Sequence, residues 1–408
     1  MAEERMQSNS AMHDCRYHRY AAWLMLLTIP ALLMILTEYR HMGSFGRQTP
    51  DARVYISIAD NYISTGHFIQ TERPVSGLVV PPGVPAILTF FRLLRFSNGM
   101  IIAIQILMFG LCNIMLYETE CVINGKGIWA PIIYTMANMR CWICLGLFLV
   151  EHYYLFLLCF AVWTMYREYE ERKKIVLLNL IGLAMVLIRP LLSPVYLTII
   201  GYTLYWGVKN NNKKLTVALL FLPILAFSLN IMINYRETGE FILLENYSAS
   251  DMYTASRQGS PIHIEEAQHF PDEVYMSIVN DESLNASERN AVFKKSTKEN
   301  LRDHFGKYLK NGVLRGHEIF MKAYAWATIY TFIGGVMLAC EERRKKNWRA
   351  TVMLLLTLLL ALLSSFGVSE CRYSIVIWPM ASLHGAYLTD QILRRLNNKI
   401  HNAIPERQ

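Results

Sequence analysis

Apolar runs recur along this chain near residues 21–37, 78–94, 100–117, 128–164, 176–196, 197–208, 215–233, 318–339, 350–366 and 373–390. Many of them approach the ~20 residues that a helix needs to cross a bilayer. Short polar stretches separate them, and the basic residues gather there in clusters. Arg92/Arg95, Arg167/Arg172/Lys173/Lys174, Lys209/Lys213/Lys214, Arg343/Arg344/Lys345/Lys346/Arg349 and Arg394/Arg395/Lys399 mark the cytoplasmic side. With the N-terminus inside and sides alternating, every cluster falls inside on one condition: 128–164 crosses once. The stretch 145–164 is then the crossing. The stretch 128–143, broken by Pro131, Asn138 and Arg140, becomes a re-entrant or in-plane segment on the outer side. The pattern predicts an all-α polytopic membrane protein of about ten transmembrane helices with both termini inside.

The expected organisation is a cytoplasmic tail over 1–20 and an N-terminal transmembrane module over 21–233. An outer soluble loop follows over 234–317, then C-terminal transmembrane helices over 318–390 and a cytoplasmic tail over 391–408. The first run follows Arg16, His18 and Arg19 but lacks a small-residue cleavage site, so it reads as an uncleaved anchor. The first outer loop, 38–77, is expected to hold in-plane helix. The second outer segment is polar, with a patterned helical stretch from about 286 to 312. It contains two sequons, Asn246-Tyr-Ser and Asn285-Ala-Ser. No internal repeat is visible, which weighs against an inverted-repeat transporter.

Composition agrees with a membrane protein: 53% of the residues are hydrophobic and only 18% charged. The net charge of +8 sits in the short clusters between spans, so it signals topology and excludes nucleic acid as a partner. The eight cysteines are scattered. Cys141-Trp-Ile-Cys144 has no second pair at zinc-site spacing and reads as membrane-embedded thiols. His263, Glu265, Glu266 and His269 fit no strong metal motif. The residues require no divalent metal and do not exclude one.

Candidate chemistry concentrates on one side of the membrane. On a helix opening at Asp51, the residues Val54, Tyr55, Ile58, Ala59 and Tyr62 share one face, opposite Arg53, Ser57, Asp60 and Asn61. That is the pattern of a helix lying in the interface plane. Asp51 follows Pro50 where an N-cap would stand, so it is either a plain cap or a carboxylate facing the headgroup zone, as base or as metal or amine anchor. Val80-Pro-Pro-Gly-Val-Pro85 opens the next run with an irregular start. Glu151-His152 begins the 145–164 crossing near its outer end. A carboxylate at that depth is costly, so it is either functional or a helix-terminal acid with a local partner. Arg189, Arg236 and Arg372 all fall at outer span ends, the last beside Glu370. Each arginine either snorkels or binds phosphate oxygens.

In this order the residues resemble the GT-C glycosyltransferases, in particular the branch of bacterial aminoarabinose transferase and the protein O-mannosyltransferases. The resemblance runs from about 20 to 390. It rests on Pro50-Asp51 with Tyr55, Ala59 and Gly66-x-Phe68, then on Pro81-Pro82-x-x-Pro85 and Glu151. Gly182, Arg189-Pro190, Asn234-Tyr-Arg236-x-x-Gly239-x-Phe241 and Arg372-Tyr373 with Pro379 complete it. It implies an inverting transferase that takes a sugar from a polyprenyl-phosphate donor at the outer membrane face and passes it to a lipid, glycan or protein acceptor. By carry-over Asp51 is the catalytic acid acting as base, and Glu151 is a second acid lining the cavity. Arg189, Arg372, Tyr373 and Arg236 are candidates for the donor phosphate. The chain departs from the pattern where Ala52 follows Asp51 and where Val79-Val80 precede the paired prolines. Unlike oligosaccharyltransferases, it carries no large soluble domain after the last span. The expected location is the plasma or inner membrane. Two rivals share the topology: a polymerase or ligase of lipid-linked glycans, and a flippase or transporter of lipid-linked sugars. A non-catalytic scaffold would leave the acids and arginines unexplained.

Overall fold

The computed structural model describes residues 49–70, 79–138, 148–245, 248–257, 273–281, 283–317, 320, 325–366 and 375–403, with Trp23 and Met25. Among these residues the chain is helical and has no strand. The first run, the 1–20 tail, Cys141, Cys144, the 258–272 stretch and Arg372-Tyr373 lie outside the described residues.

Among the described residues from 50 onward, fourteen α-helices follow in order. They are α1 (Pro50–Thr65), α2 (Gly83–Leu93), α3 (Asn98–Asn124), α4 (Trp129–Ala137), α5 (Val150–Tyr166), α6 (Glu171–Ile188) and α7 (Ser193–Lys209). Then come α8 (Lys213–Thr238), α9 (Ser248–Arg257), α10 (Glu273–Asn280), α11 (Ala286–Gly316), α12 (Ala325–Arg344), α13 (Arg349–Phe366) and α14 (Trp378–Ala403). Among the described residues, four segments are long and apolar enough to cross a membrane: Asn98–Asn124, Pro190–Lys209, Lys213–Thr238 and Arg349–Phe366.

Helix α3 is the axis of the N-terminal half, packed on α4, α5 and α14. Its pairings set the direction of its neighbours. The Ala130 amide donates to Glu120 Oε2 at 2.8 Å, the Thr135 hydroxyl to Asn113 at 3.1 Å, and the Phe109 and Tyr134 rings stack at 5.4 Å. Numbers that rise along α4 meet numbers that fall along α3, so the two are antiparallel. Gln105 meets Tyr153 at 3.3 Å, whereas Glu118 meets Trp163 at 3.3 Å and pairs with Arg167. Helix α5 therefore runs parallel to α3. Within the 128–164 run, the nine-residue α4 and the longer α5 therefore run in opposite directions. Pro131 sits in the first turns of α4, where its missing N–H costs little.

The 78–94 run holds a short apolar helix. Its helix α2 has 11 residues, about 16 Å, half of a hydrocarbon core. It packs along α1, and Arg92 Nε lies 3.5 Å from Asp60 Oδ1. The chain then turns at once into α3, capped by Ser97, whose hydroxyl accepts from the Met100 amide at 3.3 Å. Arg92 and Arg95 thus stand at the start of α3, away from the other basic clusters. At the opposite end of α3, the Lys126 ammonium lies 3.7 Å and Arg394 Nε 2.6 Å from the buried Asp390, while Arg394 Nη2 donates to the Asn124 carbonyl at 2.7 Å. This is the basic end; the α1–α2 side is the far end.

Buried apolar residues from α1 to α7 and from α12 to α14 form one continuous core. The 248–316 segment has a small core of its own, Ala249, Tyr253, Ile278 and Phe293. It docks on the bundle through the fully buried Arg315. Its Nε donates to the Ser365 carbonyl at 3.1 Å and its Nη1 to the Ala255 carbonyl at 3.0 Å. These carbonyls end α13 and α9, where unpaired acceptors and the helix dipoles favour a cation. Burial pulls the Arg315 guanidinium below its ordinary pKa. The sequon residue Asn285 caps α11: its side chain accepts from the Glu288 amide at 2.9 Å, and its own amide donates to Glu288 Oε2 at 2.8 Å.

The direction of α2 and α5 predicts which residues share a side. Cysteines placed at the exposed Arg95 and Arg236 are expected to react with a membrane-impermeant thiol reagent from the same face, and one at Glu168 only from the opposite face. Labelling of intact cells against inverted vesicles checks it, and reaction of the Arg95 and Glu168 variants from one side would reverse the assignment.

Candidate functional site

The far end collects most of the candidate residues because of helix direction. Helices α5 and α6 form a hairpin around the short 167–170 turn, so the first turn of α5 and the last turn of α6 lie at the same end. Glu151 occupies that first turn of α5, 1% exposed, with His152 beside it 8% exposed. Arg189 closes α6 in an extended conformation, half-buried, with its amide donating to the Met185 carbonyl at 2.8 Å. Pro190 then forces the break into a short 3-10 turn before α7.

Asp51 reaches this end through α1 and α2. It is not the cap of α1: the Thr49 hydroxyl accepts from the Ala52 amide at 3.3 Å, and Asp51 lies half-buried in the first turn. Of the face read from the sequence, Tyr55, Ile58 and Ala59 are buried and Val54 half-buried, and Ala52 is buried with them. Tyr62 departs from it at 41% exposure, its ring edge-on to Phe68 at 5.8 Å. Helix α1 rests on α2, and α2 rests on the end of α6. At that second contact a Cβ on Gly83 would stand 2.9 Å from both the Ile188 Cα and the Leu187 carbonyl oxygen. Only a residue without a side chain lets the two backbones come so close, one residue before Arg189.

Arg236 is drawn into a clamp. At the end of α8 its Nη2 donates to the Gly66 carbonyl at 2.8 Å and its Nε to Glu237 Oε1 at 2.9 Å. His67 Nδ1 sits 2.8 Å from Glu237 Oε2. The clamp ties the turn after α1, where Gly66 adopts a left-handed φ of +76°, to the end of α8. Two pieces of the sequence pattern, Gly66-x-Phe68 and Asn234-Tyr-Arg236-x-x-Gly239, are therefore in direct contact. The following chain folds back along α8, held where Asn234 donates to the Ile242 carbonyl at 2.8 Å.

Sequence reasoning missed His67 and Glu237, although both stand inside or beside motifs it quoted. It also missed Arg315. The available signal was Gly312 and Gly316 four apart in an otherwise polar helix, on the side that receives Phe366 and Ser365. Among the described residues, no group of three or more His, Cys, Asp or Glu side chains is placed to hold a metal ion.

The all-helical fold of this chain is shared by solved glycosyltransferase structures at low sequence identity. Two solved structures of an archaeal oligosaccharyltransferase from Archaeoglobus fulgidus match it. AglB in complex with an inhibitory peptide and a dolichol-phosphate is 12% identical with a TM-score of 0.50, and the apo form is 11% identical with a TM-score of 0.51. Each match covers 95% of this chain but 52% of the other, so the chain spans about half the length of these proteins. No family model and no curated protein matches the sequence.

Gly83→Val would press two methyl groups into Ile188 and the Leu187 carbonyl, at a cost of about 1–3 kcal/mol. The expected outcome is a lower melting temperature in detergent and faster proteolysis of the 66–83 stretch. An unchanged melting curve would mean that α1 and α2 do not lean on α6.

Proposed function

We propose that this protein is a membrane glycosyltransferase that moves a sugar from a polyprenyl-phosphate donor to a lipid, glycan or protein acceptor, with inversion, at the outer face of the plasma or inner membrane. The observation that carries the reading is that Glu151, Arg189 and Arg236 stand at helix ends on one end of the bundle, while α1, which bears Asp51, packs through α2 on the end of α6 there. That end is opposite the one bearing Lys126, Arg167 and Arg394. By the positive-inside rule it is the outer one. The A. fulgidus AglB structure holds a dolichol-phosphate, which is the same class of lipid-linked phosphate.

The chemistry follows from the residues. The acceptor hydroxyl gives its proton to the Asp51 carboxylate as its oxygen bonds to the anomeric carbon. The bond from that carbon to the phosphate oxygen breaks, and the electron pair leaves with the polyprenyl phosphate. Arg189 and Arg372, with Tyr373, meet the charge that grows on the leaving phosphate, where guanidinium groups act most strongly. Glu151, buried in the first turn of α5, is the second acid of this proposal. Arg236 serves the site by holding the turn after α1, and its side chain is 60% exposed beside that turn. Because the leaving group cannot quit the membrane, these partners belong at headgroup level.

Vesicles containing the protein, a panel of labelled polyprenyl-phosphate sugars and a crude acceptor extract test this. Release of polyprenyl phosphate is expected, falling ~10²–10⁴-fold in Asp51→Asn with normal insertion. Normal transfer by that variant removes Asp51 as the base. Arg372→Ala is expected to weaken donor binding more than acceptor binding, and unchanged donor affinity takes Arg372 out of the site. Turnover of pyrophosphate donors alone identifies a polymerase or ligase instead, and transbilayer movement without transfer identifies a flippase.

A further inference from the structure

Helix α11 is two helices joined end to end. The break is at His304, whose φ of −132° and ψ of 29° are not helical. The part before the break carries Phe293 into the small core of the 248–316 segment. The part after it meets the bundle. The Tyr308 hydroxyl donates to the Phe366 carbonyl at 3.1 Å, and a Cβ on Gly312 would fall against the Phe366 ring. Arg315 donates to the Ser365 carbonyl, and a Cβ on Gly316 would stand 2.7 Å from the Ser365 hydroxyl. From Tyr308 to Gly316 the helix advances about 12 Å. The α13 residues it meets over that distance are neighbours in sequence. The two helices therefore cross steeply, with α11 lying over the last turn of α13.

The depth of that crossing follows from α13. Arg349–Phe366 is long and apolar enough to span a membrane. Its length is about 27 Å against a hydrocarbon core of about 30 Å, so Phe366 stands at one boundary and Arg349 at the other. Spanning helices tilt by about 20° on average, so a helix that crosses one steeply lies near the membrane plane. Residues 305–316 thus lie at headgroup level. Helices α12 and α13 form a hairpin around 345–348, which brings the start of α12 to the same end. Trp326 stands exposed there, the residue type that favours this boundary. Deeper along α13, Leu355, Leu358 and Leu362 are exposed where lipid would meet them.

At this level α11 presents an apolar stripe. Phe305, Leu309 and Val313, four residues apart and so on one face, are 56%, 41% and 67% exposed. Lys307 projects from the opposite face. We propose that the 305–316 helix is an interfacial helix whose partner is the bilayer of the protein's own membrane. Phe305, Leu309 and Val313 enter the acyl boundary of the leaflet at the Phe366 end, and Lys307 faces water. Continuity argues for lipid as the occupant: the stripe lies at the depth where the exposed leucines of α13 leave off. The contact attaches to the membrane a segment whose own core is four residues, Ala249, Tyr253, Ile278 and Phe293. Asp51 and Glu151 take no part in it, so it stands apart from the transfer reading.

The test is photolabelling of the unaltered full chain in phosphatidylcholine vesicles that contain a phospholipid with a diazirine on its acyl chain. On illumination the diazirine releases nitrogen, and the carbene left behind inserts into a neighbouring C–H bond. Peptide mapping is expected to place lipid adducts on Phe305, Leu309 and Val313, with roughly ten-fold fewer on Lys307 across the helix. No adduct within 305–316, or equal labelling of Lys307 and the stripe, would overturn the proposal. Leu309→p-benzoylphenylalanine, illuminated in plain phosphatidylcholine vesicles, then reports what the stripe touches. A lipid adduct is expected. A cross-linked pair of chains with no lipid adduct would assign the stripe to a second copy of the chain and overturn the proposal too. The diazirine labelling uses the unaltered protein, so it decides even if the variant fails to fold.

Discussion

The far end of this protein depends on one backbone contact. Helix α1, with Asp51, meets the bundle by way of α2, and α2 meets α6 where Gly83 faces Leu187 and Ile188 without a side chain between them. Two short amphipathic helices would otherwise be a poor platform for chemistry, since isolated helices of this length are marginal in water. Close packing on a long helix gives them a fixed position, and the Arg236–Glu237–His67 clamp adds a second point of attachment from α8. The acid-bearing module is thus held at both of its ends.

The 248–316 segment is attached by a different device. Its own core is small, and it packs on the end of α13 through Arg315, whose Nε donates to the Ser365 carbonyl, and through Tyr308, whose hydroxyl donates to the Phe366 carbonyl at 3.1 Å. That geometry uses acceptors that helix ends leave over in any case. The hydrogen bonds to the Ser365 and Ala255 carbonyls offset part of the cost of burying Arg315, and its guanidinium also lies 5.9 Å from the Tyr308 ring.

Much of this fold was legible in the sequence. The helical class, the amphipathic face of α1, the long helix from 286 and the break at Arg189-Pro190 all follow from periodicity and proline chemistry. The path of the chain between 78 and 164 was not. Hydropathy counts apolar residues but does not see direction, so an 11-residue helix lying along α1 and a span of similar apolarity look alike. The run from 128 to 164 hid a reversal for the same reason. Charge placed Arg92 with the cytoplasmic clusters, whereas Asp60, from the in-plane helix, is its partner. At the site, residue types at span ends were readable one by one. The contacts that assemble them, such as His67 with Glu237, join positions 170 apart and leave no local trace.

The start of α4 carries a consequence for how the chain is made. Ile128 offers no side chain to cap it, and the Ala130 amide is satisfied by Glu120 from the end of α3. An N-terminus whose cap belongs to the preceding helix cannot be finished before that helix is in place. During synthesis α3 emerges first and brings its carboxylate to the turn, so the two helices mature as a hairpin instead of as separate insertion events. An acid that looks misplaced in an apolar span is, in that light, an instruction about the order of assembly.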